Sequence, residues 1–271
     1  MLKAAFQGER GAFSEDALIS FFGDIETLPC RSFSNVFEAV LNTEVDFGVV
    51  PVENSQAGSI NETYDLLLCH PLSIFAEINM RINHCLVALP GETLSSIKTI
   101  YSHPQALAQC QEFISNLNVE VFPGYNTAGS AKRIKEEGIK NAAAIASRRA
   151  AEIYNLIILA PDIETNINNY TKFFIISKKQ AEHIKMNKTS LVFSTKNIPG
   201  SLYNILGAFA NRNINLTKLE SRPGKDRPWE YVFYVDFEGH KDDDLCKDAL
   251  EEAKEKTSFM KILGSYPRAE D

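Results

Sequence analysis

Four short polar segments carry the side chains best suited to chemistry: residues 8–14, 51–58, 102–105 and 169–173. They offer hydroxyls (Ser14, Ser55, Ser102, Thr171), amides (Asn54, Gln105, Asn169) and backbone N–H groups. Such a set can orient and protonate an anionic organic substrate without redox or metal chemistry. Other chemistries lack their spacing. His70, His84, His103, His183 and His240 form no H-E-x-x-H pair, and Cys30, Cys69, Cys85, Cys110 and Cys246 form no C-x-x-C pair, so no metal cofactor is expected. Gly8-x-x-Gly11 is not the G-x-G-x-x-G dinucleotide fingerprint, and neither a P-loop nor a G-x-S-x-G elbow occurs.

The apolar pattern places these segments at strand ends, where open α/β sheets bind ligands. Residues 2–6 read as a strand, with Ser14 capping a helix whose first turn holds Glu15 and Asp16. Asn35 and Glu38 have the spacing of a capping box, and residues 47–52 read as a buried strand. Residues 74–89 are extended. The pattern then restarts, with strands at 99–101, 119–122, 142–146 and 156–159 and helices near Ala131 and Arg149. Pro104 suits the first position of a helix, which puts Gln105 and Gln109 on one face. A strand at 173–177 can return the chain to the first unit. Two α/β units joined by extended chain predict two lobes with a cleft between them.

Residues 177–188 are polar and read as a linker. Beyond it come a strand (190–194), a helix (199–211), strands at 214–221 and 230–237, a helix (241–256) and a strand (259–266). That βαββαβ order is ferredoxin-like. The 271 residues fit two domains, and 44% hydrophobic content supplies their cores. A net charge of −7 argues against nucleic acid as a partner and requires any anion site to be built locally. Scattered cysteines and the lack of a leader or membrane-length apolar run point to the cytoplasm.

Blocks of this sequence resemble prephenate dehydratases in order. They are Gly8-x-x-Gly11-Ala12-Phe13-Ser14-Glu15, Val50-Pro51-Val52-Glu53-Asn54-Ser55-x-x-Gly58, Ser102-His103-Pro104-Gln105-Ala106-Leu107-x-Gln109-Cys110, Ala142-Ala143-Ala144-Ile145-Ala146-Ser147 leading to Ala150-Ala151-Glu152-Ile153-Tyr154, and Asn169-Tyr170-Thr171-Lys172-Phe173. Pro199-Gly200-Ser201-Leu202 and Asn215-Leu216-Thr217-x-x-Glu220-Ser221-Arg222-Pro223 resemble the ligand motifs of an ACT domain. The resemblance implies an α/β fold. Its parts are a two-lobed, periplasmic-binding-protein-like (type II) catalytic domain over 1–178 and a ferredoxin-like βαββαβ ACT regulatory domain over 188–268. The lobes would be 1–76 with 172–178, and 77–171.

The implied reaction is conversion of prephenate to phenylpyruvate, water and carbon dioxide in L-phenylalanine biosynthesis, with no cofactor. Feedback by L-phenylalanine and a homodimer or homotetramer are also implied. The resemblance makes Thr171, Asn54, Ser55, Ser102, Gln105 and Gln109 catalytic, has Lys172, Gly11 and Phe173 bind substrate, and has Gly200, Ser201, Leu202, Asn215, Leu216, Glu220, Ser221, Arg222 and Pro223 bind phenylalanine. Two departures stand out: Lys172 replaces the family's usual Arg, losing the bidentate fork, and Ser201 replaces an alanine. Arogenate dehydration and non-catalytic anion binding remain open alternatives.

Overall fold

The computed structural model describes residues 2–224 and 231–269, and its contacts divide the chain into two compact units. The first holds residues up to Thr63 together with Ile78–Phe173, and the second holds Tyr64–Glu77 together with residues from Phe174 on.

The first half contains β1 (Lys3–Gln7), α1 (Phe13–Phe22), β2 (Glu26–Cys30), α2 (Phe33–Leu41), β3 (Phe47–Asn54), β4 (Gly58–Ser59), α3 (Asn61–Cys69) and β5 (Ser73–Arg81). Next come β6 (Cys85–Ala88), β7 (Thr99–Ser102), α4 (Pro104–Gln109), α5 (Gln111–Ser115), β8 (Glu120–Pro123), α6 (Thr127–Glu137), β9 (Ala142–Ala146), α7 (Arg148–Ile153), β10 (Ile157–Ala160) and β11 (Tyr170–Ser177). One sheet runs β2-β1-β3-β11-β5, with β4 added to β3, and the other runs β8-β7-β9-β6-β10. The two orders correspond position by position, and in each the strand that follows a crossing between lobes (β11, β6) enters next to the third strand. β1 is parallel to β2 and β3, and β7 to β8 and β9, whereas β6 lies antiparallel to β9. This is the mixed α/β, two-lobed arrangement the resemblance implies. Strands buried on both faces explain the continuous apolar runs, such as Ala142–Ala146 with every residue buried.

Local details differ from the sequence reading. Ser14 is a second helical residue, because α1 opens at Phe13 after an extended Ala12 that provides no side-chain cap. The cap of α2 is Ser32, whose Oγ accepts from Asn35 N at 3.2 Å, so the box begins three residues earlier than the Asn35–Glu38 spacing implies. β11 starts at Tyr170 rather than at 173, which puts Thr171 on a strand and not on a loop.

The second unit contains β12 (Asn187–Ser194), α8 (Ser201–Ala210), β13 (Leu216–Pro223), β14 (Tyr231–Glu238), α9 (Asp244–Glu255) and β15 (Phe259–Pro267). Its antiparallel sheet has the order β13-β14-β12-β15, so the βαββαβ reading holds among the described residues. Glu230, expected to open β14, lies outside them. Leu191 and Phe193 alternate onto the helical face with Ile205, Phe209, Val235 and Phe237.

The opposite face of this sheet is also covered, by residues 64–77. That is why they group with the second unit rather than with the first lobe. A Cβ on Gly264 would lie 2.4 Å from Ile74 O, so only glycine admits this approach. Lys261 Nζ donates to the carbonyls of Leu67, Leu68 and His70 at 2.8, 2.8 and 2.7 Å, at the C-terminal end of α3 where a cation is favoured. Lys188 Nζ, on a side chain only 5% exposed, meets Glu77 Oε2 at 2.6 Å and Asp236 Oδ2 at 3.7 Å. One buried cation therefore serves two buried carboxylates. Removing it takes the ammonium from both carboxylates, so Lys188→Met is expected to lower the unfolding free energy by about 3–5 kcal/mol in denaturant titration at neutral pH. A loss below about 1 kcal/mol would show that the pair is not desolvated as described.

Candidate active site

A cavity of about 470 Å³ opens in the first unit, at the carboxyl ends of β1, β3, β7 and β8. Gln7 and Asn54 are the last residues of β1 and β3, while Gln105 and Asn126 follow β7 and β8. Ile82 and His84 come from the chain after β5, and Thr171 and Phe173 from β11.

Asn54 and Thr171 form its polar centre. Asn54 Oδ1 accepts from the backbone N–H groups of Gln56 (3.1 Å) and Ala57 (3.0 Å), a local turn that fixes which end of the amide points where. Its Nδ2 then faces Thr171 Oγ1 at 3.0 Å, Asn169 Oδ1 at 2.8 Å and Tyr170 O at 3.1 Å. Because the amide donates, Thr171 Oγ1 accepts, and its own proton stays available to the cavity. An accepted hydrogen bond also makes that hydroxyl a better donor. Asn54 is 5% and Thr171 8% exposed, so the pair works at low dielectric.

Among the described residues, no Asp, Glu, Lys or Arg lines the cavity. Helix ends take their place. Phe13 and Ser14 open α1, Phe33 opens α2, and Asn126 and Thr127 open α6, so three helix starts line the space, those of α2 and α6 capped by Ser32 and Asn126. The α1 end has no side-chain cap, leaving its first N–H groups to a ligand. Each such end carries roughly half a positive charge. An uncapped end of this kind suits an anion without a lysine or arginine. At α4 the N-terminus is already occupied, since His103 Nδ1 accepts from Gln105 N at 3.3 Å; burial holds the His103 imidazole below its ordinary pKa.

The residues expected from sequence separate into two groups. Asn54, Thr171, Phe173, Gln105 and Gln109 all line the cavity, the two glutamines from one face of α4. Ser55, Ser102, Gly11 and Lys172 do not. Ser55 ties the chain ends together: its Oγ donates to Asn168 O at 3.0 Å and accepts from Tyr170 N at 2.9 Å. Ser102 is fully buried, donating to Ile145 O at 2.7 Å. Gly11 has φ +84°, and a Cβ there would lie 2.6 Å from Ala150 Cα, so its glycine is required by close packing on α7. Lys172 falls between Thr171 and Phe173 on a strand whose side chains alternate, which turns it to the other face. The lysine-for-arginine departure therefore lies off the cavity.

Sequence reasoning missed His84, Asn126 and Thr127, whereas Ser14, one of the hydroxyls it singled out, does line the cavity. The Asn126 cap, which holds Gly129 N, was legible as a helix start, and position alone links it to the cavity. His84 carried no motif.

Comparison with known proteins follows the same outline. The family model for prephenate dehydratase matches residues 4–181, and the ACT domain model matches 189–255. The chain belongs to the prephenate dehydratase family. It is 42% identical over 277 residues to the chloroplastic arogenate dehydratase/prephenate dehydratase 2 of Arabidopsis thaliana, covering 98% of this chain and 73% of that one. It is 41% identical over 272 residues to the bifunctional chorismate mutase/prephenate dehydratase of Aquifex aeolicus (strain VF5), covering 99% and 74%. A solved prephenate dehydratase from Arthrobacter aurescens in complex with L-Phe superposes with TM-score 0.90 at 34% identity, covering 99% of this chain and 90% of that one. A structure described as GqqA, a novel type of quorum quenching acylases, gives TM-score 0.91 at 34% identity, with 98% coverage of both chains.

The residues expected to bind phenylalanine lie in the part of the chain that matches the ACT domain. Gly200, with φ +81°, is the uncapped N-cap of α8, Ser201 and Leu202 begin that helix, and Asn215 precedes β13. Leu216, Glu220, Ser221, Arg222 and Pro223 lie on β13, the edge strand next to β14. Arg222 is engaged within its own unit, 3.4 Å from Asp65 and over the Tyr234 ring.

Two outcomes follow from this placement. Lys172→Arg is expected to leave KM for prephenate within about twofold, and a tenfold change would put position 172 in the site. Asn54→Ala is expected to lower kcat about 100-fold by releasing Thr171, with loss of the turn at Gln56 and Ala57 also lowering the melting temperature.

Proposed function

We propose that this cavity carries out the decarboxylating dehydration of prephenate to phenylpyruvate, with the Thr171 O–H hydrogen-bonded to the departing hydroxyl as donor or relay of a proton that solvent replaces. In that step the bond from the ring to its carboxylate breaks and its electron pair enters the ring. The opposite ring carbon loses its hydroxyl, which takes a proton and leaves as water. Aromatisation supplies driving force, and protonating the hydroxyl makes it able to leave. The observation that carries the reading is the Asn54 Nδ2 donation to Thr171 Oγ1 at 3.0 Å, which leaves the Thr171 O–H to donate to another acceptor.

The α1 N-terminus and the Gln105 and Gln109 amides orient the two carboxylates, and Phe173 packs the ring. Ser55, Ser102 and Gly11 act by holding the backbone beneath these groups. The catalytic domain runs over 1–178 and the ACT domain over 188–268. In the cytoplasm, the ACT domains of a homodimer or homotetramer bind L-phenylalanine and feed back on the rate. No helix of the described residues is long and apolar enough to cross a membrane.

The lining favours prephenate over arogenate. Arogenate replaces the keto group with an ammonium, which would meet no carboxylate among the described lining residues. An acylase reading gains no support, because Thr171 Oγ1 pairs with an amide rather than a general base.

The test is turnover of both substrates by wild type and Thr171→Val. Wild type is expected to prefer prephenate by at least tenfold in kcat/KM. The variant is expected to lose about 100- to 1000-fold in kcat while binding prephenate. A variant within tenfold of wild type contradicts the role of Thr171, and no wild-type turnover of prephenate contradicts the reaction.

A further inference from the structure

Two histidines line the cavity without a place in the proposed chemistry: His103 caps α4, and His84 is built in with care. It is 2% exposed. Its backbone N–H donates to Glu164 Oε2 at 3.0 Å, and its carbonyl accepts from Ile163 N at 3.0 Å. The next residue of that segment, Thr165, donates its N–H to the Gln109 carbonyl at 2.8 Å. Residues 163–165 therefore hold His84 and Gln109 against each other through their backbones. The Phe13 ring meets the imidazole edge-on, with centroids 5.4 Å apart. Within this frame His84 Nε2 lies 2.9 Å from Gln109 Oε1. The other ring nitrogen, Nδ1, is buried with no partner.

These facts decide the proton's position. Burial holds the imidazole below its ordinary pKa, so the ring is neutral at working pH and has one N–H. A proton on Nδ1 would be a buried donor without an acceptor, which is costly. It would also make Nε2 an acceptor and draw the Gln109 NH2 group towards the histidine. With the proton on Nε2, the ring donates to Oε1, and the Gln109 NH2 group is presented to the cavity as a donor.

We propose that His84 is a positioning residue for the dehydration: its Nε2–H fixes the Gln109 amide so that the NH2 end faces a carboxylate of the substrate. This rests on the proposed reaction. It adds that the orientation of Gln109 is imposed from outside the substrate. Without His84 the amide is free to turn its oxygen to the anion, a repulsive contact.

A double-mutant cycle tests it. His84→Leu is expected to lower kcat/KM for prephenate about tenfold, mostly through KM, the size expected for one misdirected hydrogen bond to a charged group. His84→Gln, which keeps an N–H donor on a side chain of similar reach, is expected to return to within about threefold of wild type. In a Gln109→Ala background, His84→Leu is expected to change kcat/KM less than twofold, because its effect runs through Gln109. A full tenfold loss in that background, or no recovery in His84→Gln, overturns the proposal. Imidazole ¹H–¹⁵N spectra of the wild type supply a readout independent of turnover and of how the variants fold. A protonated Nε2 and bare Nδ1 are expected, and the opposite tautomer overturns the proposal. Absent wild-type turnover of prephenate with the expected tautomer overturns the reaction and the catalytic part of the proposal, while leaving the His84–Gln109 pairing standing.

Discussion

The hydrogen bond from Asn54 Nδ2 to Thr171 Oγ1 is the contact around which the first unit is arranged. It joins residues 117 apart in sequence. For it to form, β11 must enter the first sheet beside β3, which requires the chain to leave after β5, build a second sheet and return. The same bond leaves the threonine proton for another acceptor. An alcohol is a weak acid, and its usefulness lies in being held, desolvated and aimed. The turn at Gln56 and Ala57 holds the amide, and the amide holds the hydroxyl.

The second constraint is electrostatic. An acidic chain must attract a dianion, and the lining does so without a cationic side chain. The uncapped N-terminus of α1 and neutral amides are the groups proposed for that task. Peptide dipoles have fixed direction, so they position as well as attract. Neutral amides need their own orientation set, which is the role assigned to Asn54 by its turn and to Gln109 by His84.

Much of this was legible in the sequence, and the reasons differ by residue. Gln105 and Gln109 could be placed together because helical spacing after Pro104 puts them on one face. The βαββαβ order of the second unit followed from periodicity alone. Thr171 stood out only through its resemblance motif, since nothing in its immediate neighbours distinguishes it from an ordinary strand residue. Ser55, Ser102 and Gly11 belong to the same motifs yet lie off the cavity, because a motif records everything a local geometry requires, packing included. Lys172 could be excluded from the cavity only once its strand was known to begin at Tyr170, which fixed the alternation. His84 was invisible for a different reason: its importance comes from partners in distant segments. The grouping of residues 64–77 with the C-terminal unit is of this kind too, resting on Lys188, Lys261 and Gly264.

The central claim is that Thr171 faces the departing hydroxyl while helix ends and amides hold the carboxylates. A crystal structure of the Thr171→Val variant with bound prephenate tests it most directly. The account predicts the ring hydroxyl within about 3–4 Å of the side chain at position 171, with one carboxylate on the N–H groups of Phe13 and Ser14. Prephenate bound with its hydroxyl remote from position 171, or with its carboxylates held by a lysine or arginine, would contradict it.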